Sequence, residues 1–373
     1  MQQSEAALTG QTERNLPLPK KAAHFFMSAH TPSGFVSRFG ELYSAAGGWR
    51  AYLLKSAPGV ASGLLSEAGT ALMAAGERVE FLHCISDPGG VAALTLPERR
   101  LCVVDAMPPH SIVPQYPGVV EEEVSLCDAD SARLAAQRDR ILQFSARAAA
   151  QYDRAYRFLS AVASLQADTY RIALENLDAE AVEKYASGLA KRLFARHEGT
   201  ASVSRRYLTG VSGDGVVSLA DSVLGSYDTV FLLEDDYGVG SLLLTALRVK
   251  ALAAGQHAVT CESALLPEHP EHLLLPELSI AFLTSNRFYR IESRACRHIN
   301  VRRFVNCETL RFKKARLGFN HKAARELLGQ ASLLLSEAQA DDAIVRGCYL
   351  SGVDLAQAHA GMEALTRRLL PPQ

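Results

Sequence analysis

The sequence predicts an α/β protein made of a duplicated unit with mainly parallel sheets, joined by helical hairpin segments. Three observations lead there. Residues 51–104 align without a gap on residues 230–283 at a constant offset of 179, and 15 of the 54 pairs are identical; unrelated segments at average residue frequencies would share about four. In both copies, short and continuously apolar runs alternate with helical stretches, the pattern of strands covered on both faces of a sheet. Between and after the copies lie long stretches whose apolar residues recur at helical spacing.

Taken in order, residues 1–21 are polar and lack an apolar run, so a loose tail is expected there and not a secretory signal. In the first copy, 51–55 reads as a strand, 62–75 as a helix stopped by Gly76, and 79–84 and 101–105 as further strands. The second copy repeats this as 229–233, 239–254, 258–261 and 279–283. Upstream, Gly34-Phe35-Val36-Ser37 matches Gly215-Val216-Val217-Ser218 with a two-residue slip. Residues 129–196 contain no proline and one glycine, Gly188, and Leu134, Ile141, Phe144, Tyr152, Tyr156, Leu159, Val162 and Leu165 follow helical intervals. A break near 176–178 folds this stretch into a hairpin, a counterpart is expected from Asn320 onward, and 199–215 reads as a linker. The resulting division is a tail (1–21), a first α/β domain (22–128), a helical hairpin (129–198), a second α/β domain (199–318) and C-terminal helices (319–373).

Composition sets the class. Hydrophobic residues are 48% and charged residues 21%, enough to bury substantial cores. A net charge of −1 gives no global attraction to nucleic acid or to an anionic membrane. Seven scattered cysteines without a CxxC pair argue against a disulfide framework or structural zinc, and point to a reducing compartment. No run reaches the ~18 apolar residues of a membrane span. A cytoplasmic protein without membrane association is expected.

The stretch LLKSAPGVASGLL (53–65) has the outline of a phosphate-binding loop. A working loop reads G-x-x-x-x-G-K-[ST]: glycines let backbone N–H groups approach phosphates, the lysine neutralises them, and the hydroxyl holds Mg²⁺. Here Ser56 and Ala61 fill the glycine positions, Ser62 the lysine position and Gly63 the hydroxyl position. Lys55, Ser56, Pro58, Gly59, Ala61, Ser62 and Gly63 are the candidate nucleotide contacts. In the second copy, LLEDDYGVGSLLL, Gly238, Gly240 and Ser241 form the corresponding loop, and Asp235 takes the first glycine position. Glu234, Asp235 and Asp236 would surround any phosphate with carboxylates. Each like-charge contact at ~4 Å costs about 1 kcal/mol in water and ~4 kcal/mol at an effective dielectric of 20, which would cancel most of the attraction of a helix N-terminus.

Together with VEFLHCISDP, LCVVDAMPPHSIVPQYPGVVEE and RRYLTGVSGDGVV, these loops carry a resemblance. Over about residues 22–285 the chain resembles a family of tandem P-loop ATPases from Firmicutes, each half of which carries an LKGGPGTGKS-like loop. The resemblance implies a P-loop NTPase fold in each half, with ATP and Mg²⁺ as cofactors. Ser62 and Ser241 stand where the family has its loop lysines, so hydrolysis is not expected and no cofactor is expected to bind tightly.

Other strand-end residues persist in the first half. Asp105 ends the run LCVVD, the place of a carboxylate that holds Mg²⁺ through water. Asp87, His83, Cys84 and His110 gather at neighbouring strand ends, where open α/β sheets bind ligands. Asp105 and Asp87 are the catalytic candidates, although both would serve equally as turn caps, and His110 as a hydrogen-bonded structural residue. In the second half Glu262, Ser263, Leu266 and Thr284 replace His83, Cys84, Asp87 and Asp105, so a surviving site is expected in the first half. The loop 267–272 holds two histidines and two glutamates, a weaker metal candidate than a solvated loop.

One charge contrast remains. Residues 115–137 carry Glu121, Glu122, Glu123, Asp128 and Asp130, whereas 294–316 carry Arg294, Arg297, Arg302, Arg303, Arg311, Lys313, Lys314 and Arg316. Docking of the halves, or of two protomers, through this contrast is one expectation. A polyanion or RNA patch with Phe304 and Phe312 as stacking groups is another, although nucleic acid is not the expected partner. The leading functional expectation is a degenerate pseudo-ATPase with an interaction or regulatory role, with a protein partner or a homo-oligomer. The alternatives are an active ATPase using the first half and a polyanion binder.

Overall fold

The computed structural model describes residues 22–196, 200–293 and 295–371. The expected tail over 1–21, Gly199 and Arg294 lie outside them. The first half contains β1 (Ala23–Phe26), β2 (Ser28–Thr31), β3 (Gly34–Ser37), β4 (Arg50–Lys55), α1 (Ala61–Ala74), β5 (Glu80–Cys84), β6 (Asp87–Leu96), β7 (Leu101–Asp105) and β8 (Glu121–Ser125). Helices α2 (Ser131–Ala136), α3 (Arg138–Leu174) and α4 (Ala179–Leu193) follow. The second half contains β9 (Ser202–Arg206), β10 (Thr209–Ser212), β11 (Gly215–Ser218), α5 (Ala220–Leu224), β12 (Thr229–Glu234), α6 (Gly240–Ala253), β13 (His257–Glu262), β14 (Pro270–Leu275), β15 (Ile280–Ser285) and β16 (Arg297–Asn300). It ends in α7 (Cys307–Arg311), α8 (Lys314–Leu350) and α9 (Leu355–Leu369).

The fold is α/β with two six-stranded mixed sheets of the same strand order, β1-β5-β6-β7-β4-β8 and β9-β13-β14-β15-β12-β16. Pairing register follows the sequence repeat: Leu53 faces Val104 as Leu232 faces Leu283, and Glu80 faces Thr95 as Val259 faces Leu274. In each sheet three neighbouring pairs are parallel and two antiparallel. The antiparallel pairs come from β6 and β14, which sequence reading did not resolve. Both begin in proline-containing turns, Asp87-Pro88-Gly89-Gly90 and Pro267–Pro270, and both turn signals mask the strand that follows.

Two further features separate the structure from the sequence expectation. The stretch 199–215, read as a linker, holds the edge strand β9 and most of the β10–β11 hairpin. Its serines and glycines gave a loop signal, but partial burial and parallel pairing with β13 override it. Among the described residues the acidic and basic segments also do not dock the halves together. Glu122 pairs with Arg50 and with Arg368 of α9, Glu123 with Lys55, and Arg316 with Asp168 of α3, so those charges find partners outside the opposite segment. Phe304 is buried and covered by Tyr185, which removes it as a stacking group; Phe312 is 88% exposed.

The halves share an apolar core. A single cluster takes Leu53, Leu82 and Val104 from the first sheet and Leu232, Val259 and Leu283 from the second. Equivalent residues Phe26 and Tyr207 exchange backbone hydrogen bonds (2.8 and 2.9 Å), so an approximate two-fold axis passes between them. The long helices α3 and α8 run antiparallel, with Gln151 on Glu337 and Asn320 on Asp168, and bury Ala155, Leu159, Ala331 and Leu335 between them. Each hairpin then crosses over. Val182, Ala186 and Leu189 of α4 pack on Leu243, Leu244 and Leu247 of α6 in the second half. Ala358, Met362, Leu365 and Leu369 of α9 pack on Leu64, Leu65 and Ala68 of α1 in the first. At about 1.5–3 kcal/mol per fully buried large side chain, each half depends on the other half's hairpin for several kcal/mol.

Candidate ligand-binding site

The two loops have equivalent positions and different fates. In the second, β12 delivers the chain into a turn at 235–239, Gly238 takes φ +83°, and α6 starts at Gly240. A helix start leaves backbone N–H groups without intrahelical acceptors. The Asp235 carboxylate takes them: Oδ1 accepts from Tyr237 N (3.0 Å) and Gly238 N (2.9 Å), and Oδ2 from Gly240 N (2.6 Å). Asp235 is 4% exposed. A Cβ at position 240 would lie 2.8 Å from Asp235 Oδ2, which is why glycine stands there. Burial raises the Asp235 pKa, and the three N–H donors oppose that rise. The neighbouring acids are dispersed: Glu234 bonds His298 (2.9 Å), and Asp236 lies 3.0 Å from Arg287 and 3.6 Å from Arg290.

In the first loop Ser56 stands at the Asp235 position, and its hydroxyl reaches Ala57 O (3.2 Å). Among the described residues no side-chain oxygen accepts from the backbone N–H of Gly59, Ala61 or Ser62. Gly59 takes φ +89°, and Arg346 of α8 lies over it, with Cδ 3.1 Å from where a Cβ would be. Ser62, at the lysine position, accepts from Val91 N (3.1 Å) and so pins β6 to the loop. Gly90 is squeezed between Ser62 Oγ and Asp87 Oδ2. Ala61 is fully buried, Pro58 is half-buried, and Gly63 faces open space. Lys55 donates to Ile112 O (3.2 Å) and lies 3.4 Å from Glu123.

Asp105 accepts from Met107 N (3.1 Å), which caps the turn after β7. Burial pushes its pKa up to about 6, against the pull of that N–H and of Lys55. His83 is fully buried, with Nδ1 2.7 Å from Gly90 O and Nε2 3.0 Å from His24 Nδ1, and burial lowers its pKa to about 4. Cys84 accepts from Ser28 Oγ, and burial pushes its thiol up. His110 packs on Phe39 and meets Ser37 Oγ (3.1 Å). The structure thus gathers Lys55, Ser56, Gly59, Ser62, Asp87 and Asp105 around the first loop, and commits His83, Cys84 and His110 to structural hydrogen bonds and packing.

A cavity lies in the second half. It spans about 980 Å³ including its open mouth. It sits over the carboxyl ends of β12, β13 and β15, walled by Leu165 and Thr169 of α3, Asn320 and His321 of α8, and Val211 and Val216 of the β10–β11 hairpin. Asp235 and Glu271 both line it. Glu271 accepts from Thr209 Oγ1 (2.5 Å) and from the Tyr289 hydroxyl, and burial raises its pKa. His272 is fully buried, with Nδ1 accepting from Thr284 N (3.0 Å), and burial lowers its pKa to about 3. The 267–272 segment is therefore a cavity wall and the start of β14. Among the described residues no group of histidine, cysteine and carboxylate side chains could hold a metal ion.

Sequence reading placed the surviving site in the first half because the second lacks counterparts of His83, Asp87 and Asp105. It did not anticipate Tyr289, Thr209 or His321, and it read Glu271 only as part of a weak metal candidate in the 267–272 loop; the four come from separate segments. Glu271 inside the PEHPEH stretch was the available signal. Comparisons with family models, curated proteins and solved structures return no match. Among the described residues no helix is long and apolar enough to cross a membrane.

Proposed function

We propose that this chain is a degenerate P-loop protein, a pseudo-ATPase that does not turn over nucleotide and acts through binding or regulation. The observation that carries this reading is the Asp235 carboxylate seated on the backbone N–H groups of its own loop. Those are the donors a phosphate would need. A phosphate would have to displace a buried carboxylate and then sit beside it, at ~4 kcal/mol for a like-charge contact near 4 Å.

The first loop supports a second, narrower reading: weak anion or nucleotide binding. Among the described residues the backbone N–H groups of Gly59, Ala61 and Ser62 have no side-chain acceptor, and Arg346 lies across Gly59 in addition to the nearby Lys55. Calorimetric titration with Mg-ATP tests both readings. The expected result is no hydrolysis above background, with any binding confined to the first loop. Ser56→Asp copies the Asp235 plug into that loop and abolishes the binding. Turnover by the unaltered chain, or ATP binding that survives Ser56→Asp, refutes the assignment.

A further inference from the structure

The second-half cavity has an unusual charge inventory. Asp235, Asp236 and Glu271 line it with Arg287, and Arg287 lies 3.0 Å from Asp236. Among the described residues Asp235 and Glu271 are satisfied by neutral donors: backbone N–H groups for one, Thr209 and Tyr289 for the other. Neutral donors solvate a carboxylate without cancelling its charge, and two buried carboxylates sharing one low-dielectric space repel each other. The histidines on the same walls do not supply the counter-charge, because burial lowers the pKa of His269 and His321. The His321 Nε2 is buried without a hydrogen-bond partner and belongs to this lining. Leu165, Val211, Val216, Leu265 and Phe288 supply apolar wall area, among neutral polar residues such as Gln166, Asn286 and Asn320.

We propose that this cavity binds a small organic cation, a primary amine whose ammonium group faces Glu271 and Asp235 and whose hydrocarbon body lies on the apolar wall. An ammonium donates three hydrogen bonds and supplies the charge the wall lacks. Phosphate-bearing ligands are disfavoured by the same carboxylates. The inference stands whether or not the first loop holds nucleotide, because it concerns the other half and a different charge.

The test uses the full chain and two matched probe sets. These are tyramine with its alcohol (tyrosol) and its carboxylate (4-hydroxyphenylacetate), and hexylamine with hexanol and hexanoate. By calorimetry, the amine of at least one set binds saturably and at least about ten-fold tighter than its alcohol and carboxylate analogues, a preference of roughly 1.4 kcal/mol. Glu271→Gln, shown folded by circular dichroism, weakens the amine about ten-fold. Leu266→Trp, which fills the cavity from its half-exposed rim without changing charge, abolishes binding and keeps the proposal testable if Glu271→Gln fails to fold. No amine binding up to about 10 mM, equal binding of amine and alcohol, or unchanged affinity in Leu266→Trp overturns it.

Discussion

Replacing Asp235 by alanine removes the acceptor of three backbone N–H groups at the start of α6. Losing a capping side chain costs about 0.5–2 kcal/mol, and a buried N–H left without an acceptor about 1–3 kcal/mol. Asp235 lines the cavity, so water can reach the vacated nest and the costs do not sum. The expected loss is about 2–3 kcal/mol, read as a lower urea midpoint at unchanged slope. The vacated nest should then accept an anion. With about 100 mM sulfate and a dissociation constant on the order of 10 mM, linkage returns about 1.4 kcal/mol to the variant. Sulfate also stabilises folded proteins by exclusion from their surface, so the quantity to compare is the increment over that of the unaltered chain. A loss below about 0.5 kcal/mol, or the same sulfate increment in both proteins, would refute the plugged-nest reasoning.

Arg38 joins the halves, bonding Glu262 Oε2 (2.5 Å) and Tyr207 (3.1 Å) in the second and Glu41 (2.7 Å) in the first. Arg38→Ala strands the Glu262 carboxylate at the interface and should cost about 3 kcal/mol by urea unfolding; a neutral effect would show that the interface admits water there. Gly69→Ala places a Cβ 2.5 Å from Phe81 and 2.8 Å from Leu94, so α1 must move off the sheet, and a loss of about 1–3 kcal/mol is expected in the same assay. Residues 22–198 expressed alone should not fold cooperatively, because α9 is missing from α1; a sharp two-state melt of that fragment would contradict the crossed-hairpin account. Stability should also fall between about pH 6.5 and 4. His30 and His83 are fully buried and lowered to about 4, below their unfolded value, so their contribution is present above ~6.5 and lost as pH falls through 4, on the order of 3 kcal/mol each. Asp105, raised to about 6, acts in the opposite sense: its contribution is present at acid pH and lost as pH rises through 6, which offsets part of the fall. Equal urea midpoints at pH 7 and pH 4.5 would sink this balance.

The sequence by itself determined the duplication and the α/β class. Both follow from local rules: a repeat of apolar runs at offset 179, helices ended by Gly76 and Gly255, and helical spacing through 129–196. It also located the two equivalent strand–turn–helix units, with the serines at 62 and 241 and the acids at 234–236 visible as letters. What it could not determine is where a side chain turns. Asp235 reads as one of three repelling carboxylates, yet the turn at Gly238 aims three N–H groups at it, so the same charge becomes the stabiliser of its own helix. The halves' docking was equally hidden, since it depends on apolar sheet faces and on hairpins that cross to the opposite half. Those contacts join residues far apart in the chain, and no local pattern records them. The cavity belongs to the same category. Thr209, Asp235, Glu271, Tyr289 and His321 acquire a shared chemistry only once the sheet, the hairpin and the two long helices have brought them around one space.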